Sequence, residues 1–325
     1  MSSDPAQQPP KAIGVDLGGT KMLIGVVDAE RNVLHRDRRA SVGLGTDELL
    51  AELAEGLIKA REAHPEAGAV GLGIPCRIDR ERGLAIGAVN LPIENVPIRD
   101  LIAERVGLPV FVDNDGNVAA LAEHRFGAAQ GTTNVVLLTI GTGIGGGLVL
   151  GGRVYRGSTG AGAELGHVVI DMDGPPCQGS CPNRGCVEAL ASGTALGREG
   201  RAAAEAHPDS ELGRRLAAGE EIKGSVVTEA ALAGDQVARD VFNLIGTRLG
   251  VALSSLANVF EPDAFVIGGG VMAAGDLLLE PARAELRRRA LTPMNETPVV
   301  PAELGPEAGM IGAATMALDE LAESG

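Results

Sequence analysis

"KAIGVDLGGTKMLIGVVD", residues 11–28, decides the fold. An apolar run reaches Asp16, Gly18-Gly19-Thr20-Lys21 follows, and a second apolar run returns. Short apolar runs bounded by glycine-rich turns read as buried strands, so the segment predicts strand, turn and returning strand. The design recurs in "NVVLLTIGTGIGGGLVLGG", residues 134–152, with Gly141-Thr142-Gly143 at the turn. Two hairpins of one design predict a duplicated α/β domain with a cleft between the copies.

The neighbouring segments fit that plan. Residues 46–65 read as a helix with Thr46 as cap, Asp47 and Glu48 at its positive end, Leu49, Leu53 and Leu57 on one face, and Pro65 as the stop. "AVGLGIP" (69–75) and "PVFVDND" (109–115) read as buried strands, and "GNVAALAEHRF" (116–126) as a helix. A long helix is expected over 240–263, with Phe242, Ile245, Leu249, Leu253, Leu256 and Phe260 on one side. The strand "AFVIGGGV" (264–271) follows it. The expected division is a disordered lead-in over 1–10, a first domain over 11–120 plus about 305–325, and a second over 121–304.

Composition narrows the function. The chain has 325 residues, 45% of them apolar, with 47 glycines and 2% aromatics, which suits α/β packing with tight turns. A net charge of −15 argues against nucleic acid or an anionic membrane as partner. Residues 132–152 are uncharged and long enough to span a bilayer, but seven glycines after residue 140 favour two strands and a turn. No signal peptide is legible at the N-terminus, so a soluble, cytoplasmic protein is expected.

Three glycine-rich turns follow strands: Gly18 to Lys21, Gly141 to Gly147, and Gly268-Gly269-Gly270. Glycine lets backbone N–H groups approach an anion, Thr20 and Thr142 add hydroxyl donors, and Lys21 adds a point charge. Each could be an ordinary tight turn. Two of them, each carrying Thr, point to nucleotide phosphates. Asn114 and Asp115 sit where a strand ends and a helix begins. Either they cap the helix, or Asp115 serves as a general base.

"GAELGHVVIDMDGPPCQGSCPNRGCVEAL", residues 162–190, gathers His167, Cys177, Cys181 and Cys186. Disulfides are not expected in a reducing compartment, and neither cysteine gap has the redox C-x-x-C spacing. Three cysteines and a histidine in a Pro/Gly loop match a closed structural zinc site. Glu164 and Glu188 flank the cluster, as hydroxyl-binding groups or as solvated carboxylates. Cys76 stands apart as a packing residue.

"GVDLGGTK", "GIPCRID", "VDNDGNVAALAE", "TIGTGIGGGLVLGGRVYRGSTGAGAELGH", "GCVEALAS" and "FVIGGGV" together resemble the ROK family of sugar kinases and sugar-responsive repressors. The resemblance runs from about residue 11 to 320. It implies two related actin/hexokinase-like, ribonuclease H-like α/β domains around a central cleft. It implies ATP as phosphoryl donor with Mg²⁺, and a hexose as substrate, glucose first among the candidates. By resemblance Asp115 is the catalytic base. Asn90, Asn114, Glu164, His167 and Glu188 hold the sugar, and His167 doubles as a zinc ligand. Gly18, Gly19, Thr20, Lys21, Gly141, Thr142 and Gly143 hold phosphates, Gly268 to Gly270 lie near the adenosine, and Asp16 positions Mg²⁺. A homodimer is implied as well.

The family often shows C-x-C where this chain has C-x3-C, and Gly where it has Cys76. "NLPIENVP" lacks a frequent aromatic. The last two differences bear on which sugar is taken. N-acetylmannosamine kinase, fructokinase and allokinase are the alternatives, with polyphosphate as an alternative donor. A repressor of the family is disfavoured, because only about ten residues precede the first strand and the charge is acidic. A non-catalytic sugar-binding protein is disfavoured by the Asn114-Asp115 pair.

Overall fold

The computed structural model describes residues 10–88 and 91–324. The expected lead-in and Asn90 therefore lie outside the described residues. The chain divides into two compact units. The first takes residues up to 131, Arg153–Ala163 and those from Leu304 on; the second takes Thr132–Gly152 and Glu164–Glu303.

In the first unit the strands Val33–Ala40, Lys21–Asp28, Lys11–Leu17, Ala67–Ile74 and Val110–Asn114 lie side by side in that order. The 11–28 hairpin is antiparallel, and the next two strands add in parallel. On the 11–17 strand every residue from Ala12 to Val15 is buried, as expected of a strand covered on both faces. The helix Thr46–Ala63 buries Leu49, Leu53 and Leu57 in one core with Ile13, Val15, Ile24 and Leu72. Each such side chain contributes about 1.5–3 kcal/mol by burial.

A row of glycines admits the C-terminal helix Ala308–Ser324. Gly25 pairs with Gly14, and Gly14 with Gly71, in register across three strands. A Cβ at Gly14 would lie 2.0 Å from the Met310 carbonyl oxygen, and one at Gly71 1.9 Å from that of Ala313. The helix backbone rests almost directly on the sheet, a contact only glycine permits. Much of the chain's glycine content thus serves packing.

In the second unit the strands Ile144–Leu150, Val135–Ile140, Ala264–Gly268 and Val299–Pro301 neighbour one another in that order. The hairpin is again antiparallel and the next two strands again parallel. The glycine-rich run at 132–152 is thus two strands, and among the described residues no helix is long and apolar enough to cross a membrane. The long helix is Gln236–Phe260, starting four residues before the expected position because Asp235 caps it through Ala238 N–H. It ends where Glu261 turns left-handed at φ 42°. Phe242, Ile245, Leu249, Leu253 and Leu256 are buried along it, while Phe260 is half-buried.

Two sequence expectations need correction. The helix at 46 is capped by Gly45, whose N–H donates to Glu48 at 2.9 Å, and the Thr46 hydroxyl donates instead to the Pro92 carbonyl. The division does not fall at 120. The helix Asp115–Phe126 packs along the C-terminal helix and stays whole in the first unit, and residues 153–163 return to that unit as well.

Candidate active site

In the first unit the 110–114 strand delivers Asn114 and Asp115 to the start of the 115–126 helix. Asn114 is the cap: its Oδ1 accepts the Gly116 N–H at 2.8 Å. Asp115 is the first helical residue, half-buried, and its Oδ1 also accepts from Gly116 N–H, at 2.9 Å. The cap reading therefore holds for Asn114, and the Asp115 carboxylate shares the same N–H. Asn114 Nδ2 donates to the Cys76 carbonyl at 3.2 Å, and Cys76 itself is buried.

Asp16 lies one residue from the end of the Lys11–Leu17 strand, two strands away in the same sheet. Burial and the negative charge of Asp115 push its pKa up to about 6, with Lys21 opposing them. Its carboxylate covers Gly309 at the start of the C-terminal helix, where a Cβ would lie 2.7 Å from Asp16 Cγ. A carboxylate raised by burial and by a second carboxylate beside it forms, with that neighbour, a pair that a divalent cation would relieve. The turn beside them is closed by Gly18 N–H to the Lys21 carbonyl at 2.9 Å and braced by the Ser41 hydroxyl on the Gly18 carbonyl at 2.6 Å. Gly19 is half-buried, and Thr20 and Lys21 are exposed.

Sequence reasoning missed the residue before this pair. Asp113 is fully buried. Its Oδ1 accepts from Asn114 N–H at 2.8 Å and from Asn117 Nδ2 at 2.9 Å. Its Oδ2 accepts from Arg156 Nε at 2.5 Å, with Arg80 at 4.0 Å. This ion pair draws residues 153–163 to the first unit. Glu123, also fully buried, accepts from the backbone N–H groups of Ala128 and Leu304, both at 2.9 Å. A charged residue within apolar neighbours was the available signal for both, because such a group must find partners when buried.

In the second unit the metal-binding atoms of His167, Cys177, Cys181 and Cys186 all lie within 4.8 Å of one another. Cys177 Sγ stands 3.4 Å from His167 Nδ1, and Cys181 Sγ 3.9 Å from Cys186 Sγ. Sulfurs on a tetrahedral zinc, at about 2.3 Å each, stand about 3.8 Å apart. No disulfide joins these cysteines. Burial and the neighbouring sulfurs push the Cys177 thiol up, and burial pushes up that of Cys186. Crowded thiolates are costly without a cation, so the donor set fits a zinc ion, whose binding would release their protons.

Glu188 lies beside this cluster, half-buried, with Oε1 3.9 Å from Cys177 Sγ. Glu164 is exposed, and its carbonyl accepts the His167 N–H at 3.0 Å across one short helical turn. The turn at 141–143 closes through Gly141 N–H to the Gly143 carbonyl at 2.9 Å, and Thr142 is exposed. Gly268 ends a buried strand, and Gly269 at φ 90° redirects the chain into a short helix from Gly270. The structure thus brings together Asp16, Asn114 and Asp115 within the first unit, and the Cys/His cluster and Glu188 within the second.

A model of the ROK family matches residues 12–320. The chain belongs to the ROK family. Among curated ROK-type relatives, it is 39% identical over 313 residues to the glucokinase of Streptomyces coelicolor, covering 94% of this chain and 96% of that one. It is 37% identical over 309 residues to the glucokinase of Thermotoga maritima, with coverage of 94% and 96%. Among solved structures it resembles a ROK family glucokinase from Streptomyces griseus in complex with glucose and AMPPNP. There the TM-score is 0.82 and the identity 37%, over 95% of this chain and 99% of that one. The fold is that of ROK sugar kinases.

Proposed function

We propose that this chain transfers the γ-phosphoryl group of ATP to glucose, giving glucose 6-phosphate and ADP. The observation that carries the reading is the half-buried Asp115 carboxylate at the head of a helix, beside the Asn114 cap and close to Asp16. It stands within a chain 37–39% identical to glucokinases over nearly its whole length.

In this reading Asp115 takes the proton of the sugar 6-hydroxyl as that oxygen attacks phosphorus and the bond to the ADP oxygen breaks. The first unit supplies Asp115, Asn114 and the Gly18–Lys21 turn. The second supplies Glu164, His167 and Glu188 for the sugar hydroxyls, Gly141-Thr142-Gly143 for the phosphates, and Gly268 to Gly270 near the adenosine. Asn90 is assigned to the sugar by the resemblance alone. Asp16 would hold Mg²⁺, which when bound neutralises charge on the phosphates. Zinc on His167, Cys177, Cys181 and Cys186 would be structural, holding the loop that bears His167 and Glu188. Cytoplasmic localisation and a homodimer belong to the same reading; sedimentation would measure the second.

ADP release with Mg²⁺-ATP across glucose, mannose, fructose, allose, glucosamine, N-acetylglucosamine and N-acetylmannosamine tests the reading. The expected result is the highest kcat/KM with glucose. Preference for another sugar would overturn the substrate and move attention to the loops around Cys76. No turnover with any of them, using ATP or polyphosphate, would overturn the kinase reading.

A further inference from the structure

We propose that Glu188 is a positioning residue for the Gly141–Ile144 turn, and that through it the Cys/His loop sets nucleotide affinity. The proposal rests on the reading that this turn holds phosphates. Glu188 Oε2 accepts the Ile144 N–H at 2.8 Å. A Cβ at position 143 would lie 2.2 Å from the same oxygen, so carboxylate and turn fit together because residue 143 is glycine.

Two further hydrogen bonds to the turn come from the same segment. Gly193 N–H donates to the Gly141 carbonyl, and the Thr194 hydroxyl to the Thr142 carbonyl, both at 2.8 Å. All these holds fall within residues 188–194, which begin two positions after Cys186. Cys186 itself caps the helix Val187–Ala191 that presents Glu188. On the other side, Gln178, adjacent to Cys177, donates to the Ser192 hydroxyl oxygen at 3.2 Å. The segment that grips the turn is therefore fastened to the Cys/His cluster at two places. Backbone N–H groups bind an anion well only when already arranged, so a loosened turn would bind phosphate more weakly.

The test is calorimetric titration of a magnesium-loaded, non-hydrolysable ATP analogue into full-length, metal-replete protein without sugar, with zinc measured on each sample. Glu188→Ala is expected to weaken binding about tenfold, the effect of losing one charge-assisted hydrogen bond. Glu188→Gln keeps an oxygen that can accept the Ile144 N–H, so it should retain affinity for the analogue. Gly143→Ala should weaken binding in the wild-type background and add little to Glu188→Ala, because the clash partner is gone. If a Glu188 variant loses zinc or fails to fold, Gly143→Ala, which leaves every metal ligand intact, carries the test alone.

Thr142→Glu separates the proposal from the reading beneath it. That variant places a carboxylate at an exposed point of the turn and should abolish analogue binding. Undiminished binding by Thr142→Glu would overturn the phosphate role of the turn. Loss with Thr142→Glu but wild-type affinity with both Glu188→Ala and Gly143→Ala would overturn the positioning role alone. Equal loss with Glu188→Gln and Glu188→Ala would also overturn it, because charge and not the hydrogen bond would then matter.

Discussion

The turns at 18–21 and at 141–143 occupy equivalent places in two sheets of like topology, each at the tip of an antiparallel hairpin beside two parallel strands. They are held by different means. The first is braced by the Ser41 hydroxyl, and next to the end of its strand lies Asp16, whose carboxylate covers the start of the C-terminal helix. The second is gripped by the Glu188 carboxylate, on a short helix that begins directly after Cys186 of the Cys/His cluster. One scaffold thus offers the same turn twice. One copy is supported by hydrogen bonds from Ser41, the other by a carboxylate next to a metal-ready loop. The contrast predicts that the two units fail under different insults.

The largest difference should appear on metal removal. Structural zinc contributes about 10 kcal/mol or more of folding free energy in small zinc domains. Chelation, or Cys181→Ser with Cys186→Ser, should release about one zinc per chain. It should also lower the melting temperature sharply. Freshly purified protein that contains no zinc, or that melts unchanged after chelation, would remove the metal from the comparison.

A smaller effect is expected in the first unit. Arg156→Gln strips the buried Asp113 of its nearest cation, which costs about 3–5 kcal/mol for pairs of this kind. A lower urea midpoint at unchanged zinc content is the expected outcome. A midpoint equal to wild type would mean that Arg80, at 4.0 Å, suffices as partner.

The smallest effect concerns Asp16. Its pKa is raised to about 6, so it is half protonated near that pH and loses its negative charge as pH falls further. If it positions Mg²⁺, the Mg²⁺ concentration for half-maximal rate should rise about tenfold per pH unit below that point. Asp16→Asn should flatten the dependence. A profile identical in wild type and Asp16→Asn would assign Mg²⁺ elsewhere.

Much of this was legible in the chain itself, where local pattern governs structure. Both hairpins, the long helix and the convergence of His167 with three cysteines follow from apolar periodicity and ligand spacing. The undetected features depend on distant partners. Asp113 finds Arg156 forty-three residues later, and Glu123 accepts an N–H 181 residues away. The glycine row across three strands exists only once strand register is fixed. The cap at Gly45 escaped notice because Glu48 reaches back to its N–H while Thr46 is drawn to Pro92. In the candidate site the residue types were visible, but not that Glu188 faces the 141–143 turn.

The most direct test of the account is Asp115→Asn, with glucose binding and Mg²⁺-ATP turnover measured on the same preparation. The account predicts glucose affinity close to wild type and kcat lower by about 10²–10⁴-fold, the contribution of a general base. Turnover within a few-fold of wild type would contradict it and remove Asp115 from the chemistry.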